Sequence, residues 1–166
     1  MMKTMRILNC LGSSLRSDDR GVAMVEMAVV LPVLLAIGLG VIEFGNLIFS
    51  RHLIENGVRD GARYAAGLPY NTATAAAKNI AQTGVTGGGT SYRVSWWNNP
   101  SMVNVVYTTV TNIDGSGNKL YRGGDTIPLV TVSTSVIYPS LGLLGYFGLG
   151  PITLSASHEE RLFGVR

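Results

Sequence analysis

Residues 22–49 carry no Lys or Arg and only two acidic residues, Glu26 and Glu43, among aliphatic side chains and glycines. About 20 residues in a helix cross a hydrocarbon core of roughly 30 Å at about 1.5 Å per residue, so this run spans a bilayer even when tilted. A secretory signal has an apolar core of only about 7–15 residues followed by a small-residue cleavage site, and neither description fits. The span is therefore expected to stay with the protein. In a chain of 166 residues it leaves room for one ordinary domain. The 46% apolar and 14% charged composition, with a mean hydropathy of +0.28, agrees with a lipid-facing segment.

The net charge of +3 and pI near 9.2 do not point to nucleic acid. Lys3, Arg6, Arg16 and Arg20 stand against Asp18 and Asp19 before residue 21, the remainder is nearly neutral, and no dense basic face follows. Cys10 is the sole cysteine, so the chain alone builds neither an intramolecular disulfide nor a cysteine-based zinc site. As a lipid-anchor site Cys10 is poor, because Asn9 precedes it and only Ile7 and Leu8 stand in for an apolar region.

The four basic residues before the span outnumber Arg51, Arg59 and Arg63 after it, which favours a cytoplasmic N-terminus. Within the span Glu26 demands explanation, since an ionised carboxylate at bilayer depth costs on the order of 2.5–3.5 kcal/mol. Either it reaches the headgroups one turn from the start of the run, or a partner cation meets it inside the membrane. Glu43 falls near the far interface, where a carboxylate is expected to meet water. Pro32 removes a mid-span hydrogen bond and bends the helix, as neighbouring helices tolerate. Ala36, Gly38, Gly40 and Gly45 offer a small-residue surface for close helix packing.

Residues 21–26 read G-V-A-M-V-E after a short basic leader, and the apolar run follows at once. The wider stretch, GVAMVEMAVVLPVLLAIGLGVIEFG followed by LIENGVRDGARYAAG, resembles the TadE-like family of minor pilins, or pseudopilins, of the tight-adherence (Flp-type) pilus system. The resemblance implies that a prepilin peptidase cuts after Gly21, leaving Val22 as the new N-terminus and Glu26 as its fifth residue. It also implies that Glu26 pairs with the α-amine of a neighbouring subunit, which supplies the missing cation. Met27 departs from the pattern, because pilins of this system typically have an aromatic residue there. The alternative is a full-length, uncut single-pass anchor. The implied partners are other pilins and pseudopilins, the prepilin peptidase, the inner-membrane assembly platform and membrane lipid. The implied location is the bacterial inner membrane, with the C-terminal domain outside the cytoplasm or carried into the pilus.

Beyond the span Leu47, Ile54, Val58, Ala62 and Ala65 share one helical face, and Gly67 with Pro69 supplies the stop. A second, alanine-rich helix is expected over 72–82, capped by Asn71 and stopped by Gly84. After Gly87 to Gly89 the period changes. Segments 92–97 and 102–111 read as strands joined in a hairpin through Asn98, Asn99 and Pro100, with Trp96 and Trp97 on opposite faces, and 128–138 and 152–157 read as two more strands. The apolar, glycine-broken segment 141–149 reads as a loop folding back on the protein or as a membrane or partner contact. The expected fold is thus α+β: a long helix packed against a small, mainly antiparallel sheet. Its parts are a cytoplasmic leader (1–21), transmembrane helix (22–45), helical stalk (46–67), second helix and Gly-rich linker (68–91) and exterior β-rich domain (92–166).

No catalytic, cofactor or metal signature accompanies this layout. His52 and His158 lack local companions, and an anchored hydrolase would need either to converge with Asp114, Asp125 or Glu159. The expected function is a non-enzymatic pilin-like subunit acting in pilus biogenesis, surface adhesion and biofilm formation. The alternative is a membrane-tethered module whose β domain captures a ligand or partner.

Overall fold

The computed structural model describes residues 19–140, 142, 145, 148 and 150–163, with side chains from residue 21 onward. Most of the leader, including Cys10 and three of its basic residues, and the large apolar side chains of the 141–149 segment lie outside the described residues. The chain divides into two compact units, residues 1–42 and 43–166. Helix α1 (Asp19–Ala66) contributes to both.

In the first unit α1 is apolar all round. Val22, Val25, Val29, Leu34 and Ile37 are all more than half exposed. An eighteen-residue window reaches a mean hydropathy of 2.5 with none of it buried, and among the described residues this is the one helix long and apolar enough to cross a membrane. A helix apolar on every side belongs in lipid or among other helices. Pro32 lies within the helix without ending it.

The second unit holds the rest of α1, helix α2 (Thr74–Thr83), a 3₁₀ turn (Pro100–Met102) and strands β1 (Val103–Thr111), β2 (Thr126–Ile137) and β3 (Thr153–Arg161). The strands form one antiparallel sheet in the order β1-β2-β3, with Val105 opposite Val132 and Val132 opposite His158. Alternate residues of β2, Val130, Val132, Thr134 and Val136, are buried, as the two-residue period of a half-covered strand requires. The three valines join Ile54, Val58, Ala62 and Ala65 of α1 in one core with Ala77 and Ala81 of α2. This is the expected α+β arrangement.

Backbone contact brings the two helices together. A Cβ on Gly57 would collide with the carbonyl oxygen of Ala81, and one on Gly61 would lie 2.7 Å from that of Ala77. Glycines four apart against alanines four apart let the helix surfaces meet with no side chain between them. α1 ends at Ala66, just before Gly67 and Pro69, and α2 ends where Gly84 adopts φ 79° and returns its N–H to Ile80, a conformation that costs glycine little.

Three expectations need correction. Asn71 does not cap α2: the residue before the helix is Ala73, no side chain caps it, and Asn71 instead occupies a turn at φ 60°. Residues 92–97 are not a strand, and no hairpin runs through Asn98 to Pro100. The Arg93 N–H bonds the Gln82 carbonyl of α2, the Trp97 N–H bonds the Val94 carbonyl, and the Gln82 amide donates to the Asn99 carbonyl. With Arg93 bonded to α2 and Trp97 closing a local turn, these groups find partners without a neighbouring strand. Trp97 is fully buried and donates to Thr134, while Trp96 is half-buried. β3 runs four residues further than its apolar pattern because His158 and Glu160 turn inward and Glu160 lies 3.7 Å from Arg63 of α1.

One buried side chain ties together the neck of the β1–β2 connection. The buried Asn112 amide donates to the carbonyls of Tyr121 and Gly124 and accepts from the Tyr121 N–H.

Gly57→Ala is expected to destabilise the second unit by about 1–3 kcal/mol, the usual cost of overpacking, whereas Gly45→Ala, whose Cβ meets nothing within 4 Å, leaves its melting transition unmoved or slightly raised. Thermal unfolding followed by circular dichroism separates the two.

Candidate functional site: the assembly helix and its boundary

Gly21, Val22, Val25, Glu26, Val29 and Val30 line one shallow, almost wholly apolar surface of α1. Gly21 and Val22 are the third and fourth residues of the helix, and Glu26 is exposed one turn further on. Residues 22–49 supply no Lys or Arg to meet that carboxylate, so in lipid its cation has to come from elsewhere. A Cβ built on Gly38, Gly40 or Gly45 meets nothing within 4 Å, and Ala36 is only partly covered. These positions are open in the isolated chain and narrow enough for a second helix to approach closely.

Where the apolar run ends, the helix changes surroundings. Glu43 is 1% exposed, which corrects the expectation that it meets water. The Tyr138 hydroxyl, at the end of β2, accepts from the Asn46 amide at 2.8 Å and hydrogen-bonds the Glu43 carboxylate. Each partner thus uses its natural role, with amide donating to phenol and phenol to carboxylate. Burial pushes the Tyr138 pKa above its ordinary value of 10.0, against the pull of the Asn46 hydrogen bond, and the charge and hydrogen bond of Glu43 push it up further.

A family match now bears on this geometry: residues 21–63 match the model of the family described as TadE-like protein. Residues 21–63 are a TadE-like segment. It starts at the glycine of the G-V-A-M-V-E motif, contains Glu26, Pro32, all four small residues, Glu43 and Asn46, and stops one turn short of the end of α1. No curated protein and no solved structure matches the chain. The match spans about a quarter of the chain and is a likeness of α1 alone, and among the described residues the one long apolar helix points to a single-pass membrane protein.

The candidate catalytic residues outside the TadE-like segment, together with His52 within it, do not converge. His52 is exposed and lies 3.8 Å from Glu55. His158 contacts Glu160 at 2.9 Å, Glu159 accepts from Thr131, Asp114 accepts the N–H groups of Ser116 and Asn118 in its own turn, and Asp125 lies 3.2 Å from Lys119. Among the described residues no group of three or more His, Cys, Asp or Glu is placed to hold a metal.

Sequence reasoning missed two features of this region. The Gly57–Gly61 pair, set opposite Ala77 and Ala81, had a legible signal in its four-residue spacing. The Glu43–Tyr138 contact had none, because Tyr138 lies ninety-odd residues away from its helical partners.

Tyr138→Phe is expected to lower the stability of the second unit by about 1–3 kcal/mol, because it strips the donor from a buried acceptor. A tyrosine held protonated by the fold contributes stability that is complete below its unfolded pKa and is lost as pH rises through its folded value. The wild-type melting temperature should therefore fall as pH climbs past about 10, and the fall should be shallower in Tyr138→Phe. Equal slopes would show that Tyr138 is not the titrating group.

Proposed function

We propose that this chain is a non-enzymatic, minor pilin-like (pseudopilin) subunit of the tight-adherence pilus assembly system. It works through α1: the 22–45 stretch packs against helices of other pilins and pseudopilins, and Glu26 fixes their register. The observation that carries this reading is an exposed glutamate, without a basic neighbour in the span, on the open apolar face of a TadE-like segment.

In this reading a prepilin peptidase removes residues 1–21 on the cytoplasmic side of the inner membrane, and the new Val22 amine of one subunit meets Glu26 of another. A desolvated pair is far less costly than either lone charge, and losing one partner hurts assembly more than folding. Pro32 and the small residues Ala36, Gly38, Gly40 and Gly45 shape the contact face. The platform that gathers these helices drives pilus biogenesis and, through it, surface adhesion and biofilm formation. A second reading, a tethered binding module, draws on the shallow hydroxyl-rich groove on the sheet lined by Asn104, Ser133, Ser135, Ser155 and Ser157. It predicts that an unrelated span in place of 22–42 preserves function.

The mature protein is expected to begin at Val22 by N-terminal sequencing. Glu26→Ala should keep the melting temperature of the second unit yet be lost from complexes captured with its partner pilins. A working assembly that retains residues 1–21, or that accepts Glu26→Ala unchanged, removes the basis for this function.

A further inference from the structure

The sheet ends at β3, and the backbone there shows which groups are left over. At the two ends of the strand the Tyr138 N–H bonds the Ile152 carbonyl and the Leu162 N–H bonds the Pro128 carbonyl. Bonded pairs of an antiparallel ladder recur at every second residue, so the even-numbered residues of β3 turn their backbone toward β2. The odd-numbered ones, Thr153, Ser155, Ser157, Glu159 and Arg161, turn their N–H and carbonyl groups outward. Among the described residues no backbone group meets them, and α1 closes the edge only beyond the strand, where the Phe163 N–H reaches the Ala66 carbonyl. The opposite edge of the sheet is answered in part, because the Tyr70 hydroxyl bonds the outward Tyr107 carbonyl of β1 at 3.1 Å.

Proteins ordinarily blunt an open strand edge with charge or proline. Glu159, Glu160 and Arg161 do so for the last part of β3, but residues 153–157, Thr-Leu-Ser-Ala-Ser, carry neither. Beside this unguarded part a polar recess of about 230 Å³ opens between β3 and α1, with Glu55, Arg59, Ala156 and His158 in its lining. The acids near it are engaged, Glu55 with Arg51 at 2.8 Å and Glu160 with His158 at 2.9 Å. Arg59 is exposed, and its guanidinium has no ion-pair or hydrogen-bond partner among the described residues.

We infer that residues 153–157 of β3 accept an extended segment of another protein as a fourth strand, and that an acidic side chain of that segment enters the recess to meet Arg59. Main-chain pairing with Ser155 and Ser157 supplies affinity, and the alternate side chain that enters the recess supplies specificity. The acid lies opposite Ala156, whose small side chain is turned to the core side of the sheet and leaves room for it. A second copy's β3 is a poorer occupant. The antiparallel register that matches Glu159 with Arg161 sets Glu160 against Glu160, and like charges directly opposite one another are destabilising. The site lies wholly within the second unit and does not rest on leader cleavage or Glu26 pairing.

The test uses the full chain in detergent micelles and the peptide Thr-Val-Thr-Glu-Thr-Val-Thr, amidated and carrying fluorescein at its N-terminus, followed by fluorescence anisotropy. The glutamate peptide should bind at least about tenfold more tightly than its lysine counterpart, the difference that one charge-assisted contact makes. Arg59→Glu, an exposed change that leaves the melting temperature in place, should reverse that order. A peptide N-methylated at its threonine amides should lose binding, because it no longer donates to the β3 edge. Equal binding of the N-methylated peptide overturns strand addition, and an unchanged order in Arg59→Glu overturns the role of Arg59. No saturable binding of the glutamate peptide to the wild-type chain overturns the whole inference. Self-association that disappears in Ser157→Pro, a change an edge strand tolerates where its N–H points outward, overturns it too and assigns the edge to a second copy.

Discussion

The face that α1 buries between Glu43 and Ala66 requires a cover different in kind from the one required by residues 22–42. Along the upper stretch Ile54, Val58, Ala62 and Ala65 disappear into a core built with the sheet and α2. Along the lower stretch every side of the helix is apolar and exposed. Because one hydrogen-bonded backbone carries both, the sequence has to switch its pattern from all-round apolar to one-sided within a turn or two. The sheet, the second helix and the turn around Trp97 follow from the need to cover that one-sided stripe.

Glu43 marks the switch. A carboxylate there would be costly facing lipid and is instead enclosed by protein and satisfied by Tyr138, which Asn46 supports from the other side. The polar network is small, but low dielectric makes its hydrogen bonds strong and makes a missing partner expensive. Glu26 lies in the same apolar run and is exposed. The two glutamates of the span thus differ in what answers them, one being served within its own chain and the other, in the function we propose, by a partner subunit.

Much of this was legible from residue order. The apolar run, the amphipathic stripe beyond it, the Gly67 and Gly84 stops and strands β1 and β2 are local patterns, and local patterns can be read directly. Residues 92–97 misled because their β-branched and aromatic content fits a strand, while the deciding hydrogen bonds come from Gln82, distant in sequence. β3 was cut short because polar His158 to Arg161 look like solvent, whereas Glu160 turns in toward Arg63 on another element. Of the candidate assembly residues, identity and spacing were visible; the covering of Glu43 depended on a tertiary contact that no local pattern announces.

The Asn112 tie has a separate implication. Its amide closes the β1–β2 connection by gripping Tyr121 and Gly124, so the strands' alignment is set at the neck and not by the residues at the tip. Beyond it the chain closes its own turn through Asp114, and changes at the exposed Ser116 leave the ladder where it is, much as a buckle lets the strap beyond it be of any cut. That makes the tip the natural place for sequence drift between related molecules and the least intrusive point at which to graft an epitope.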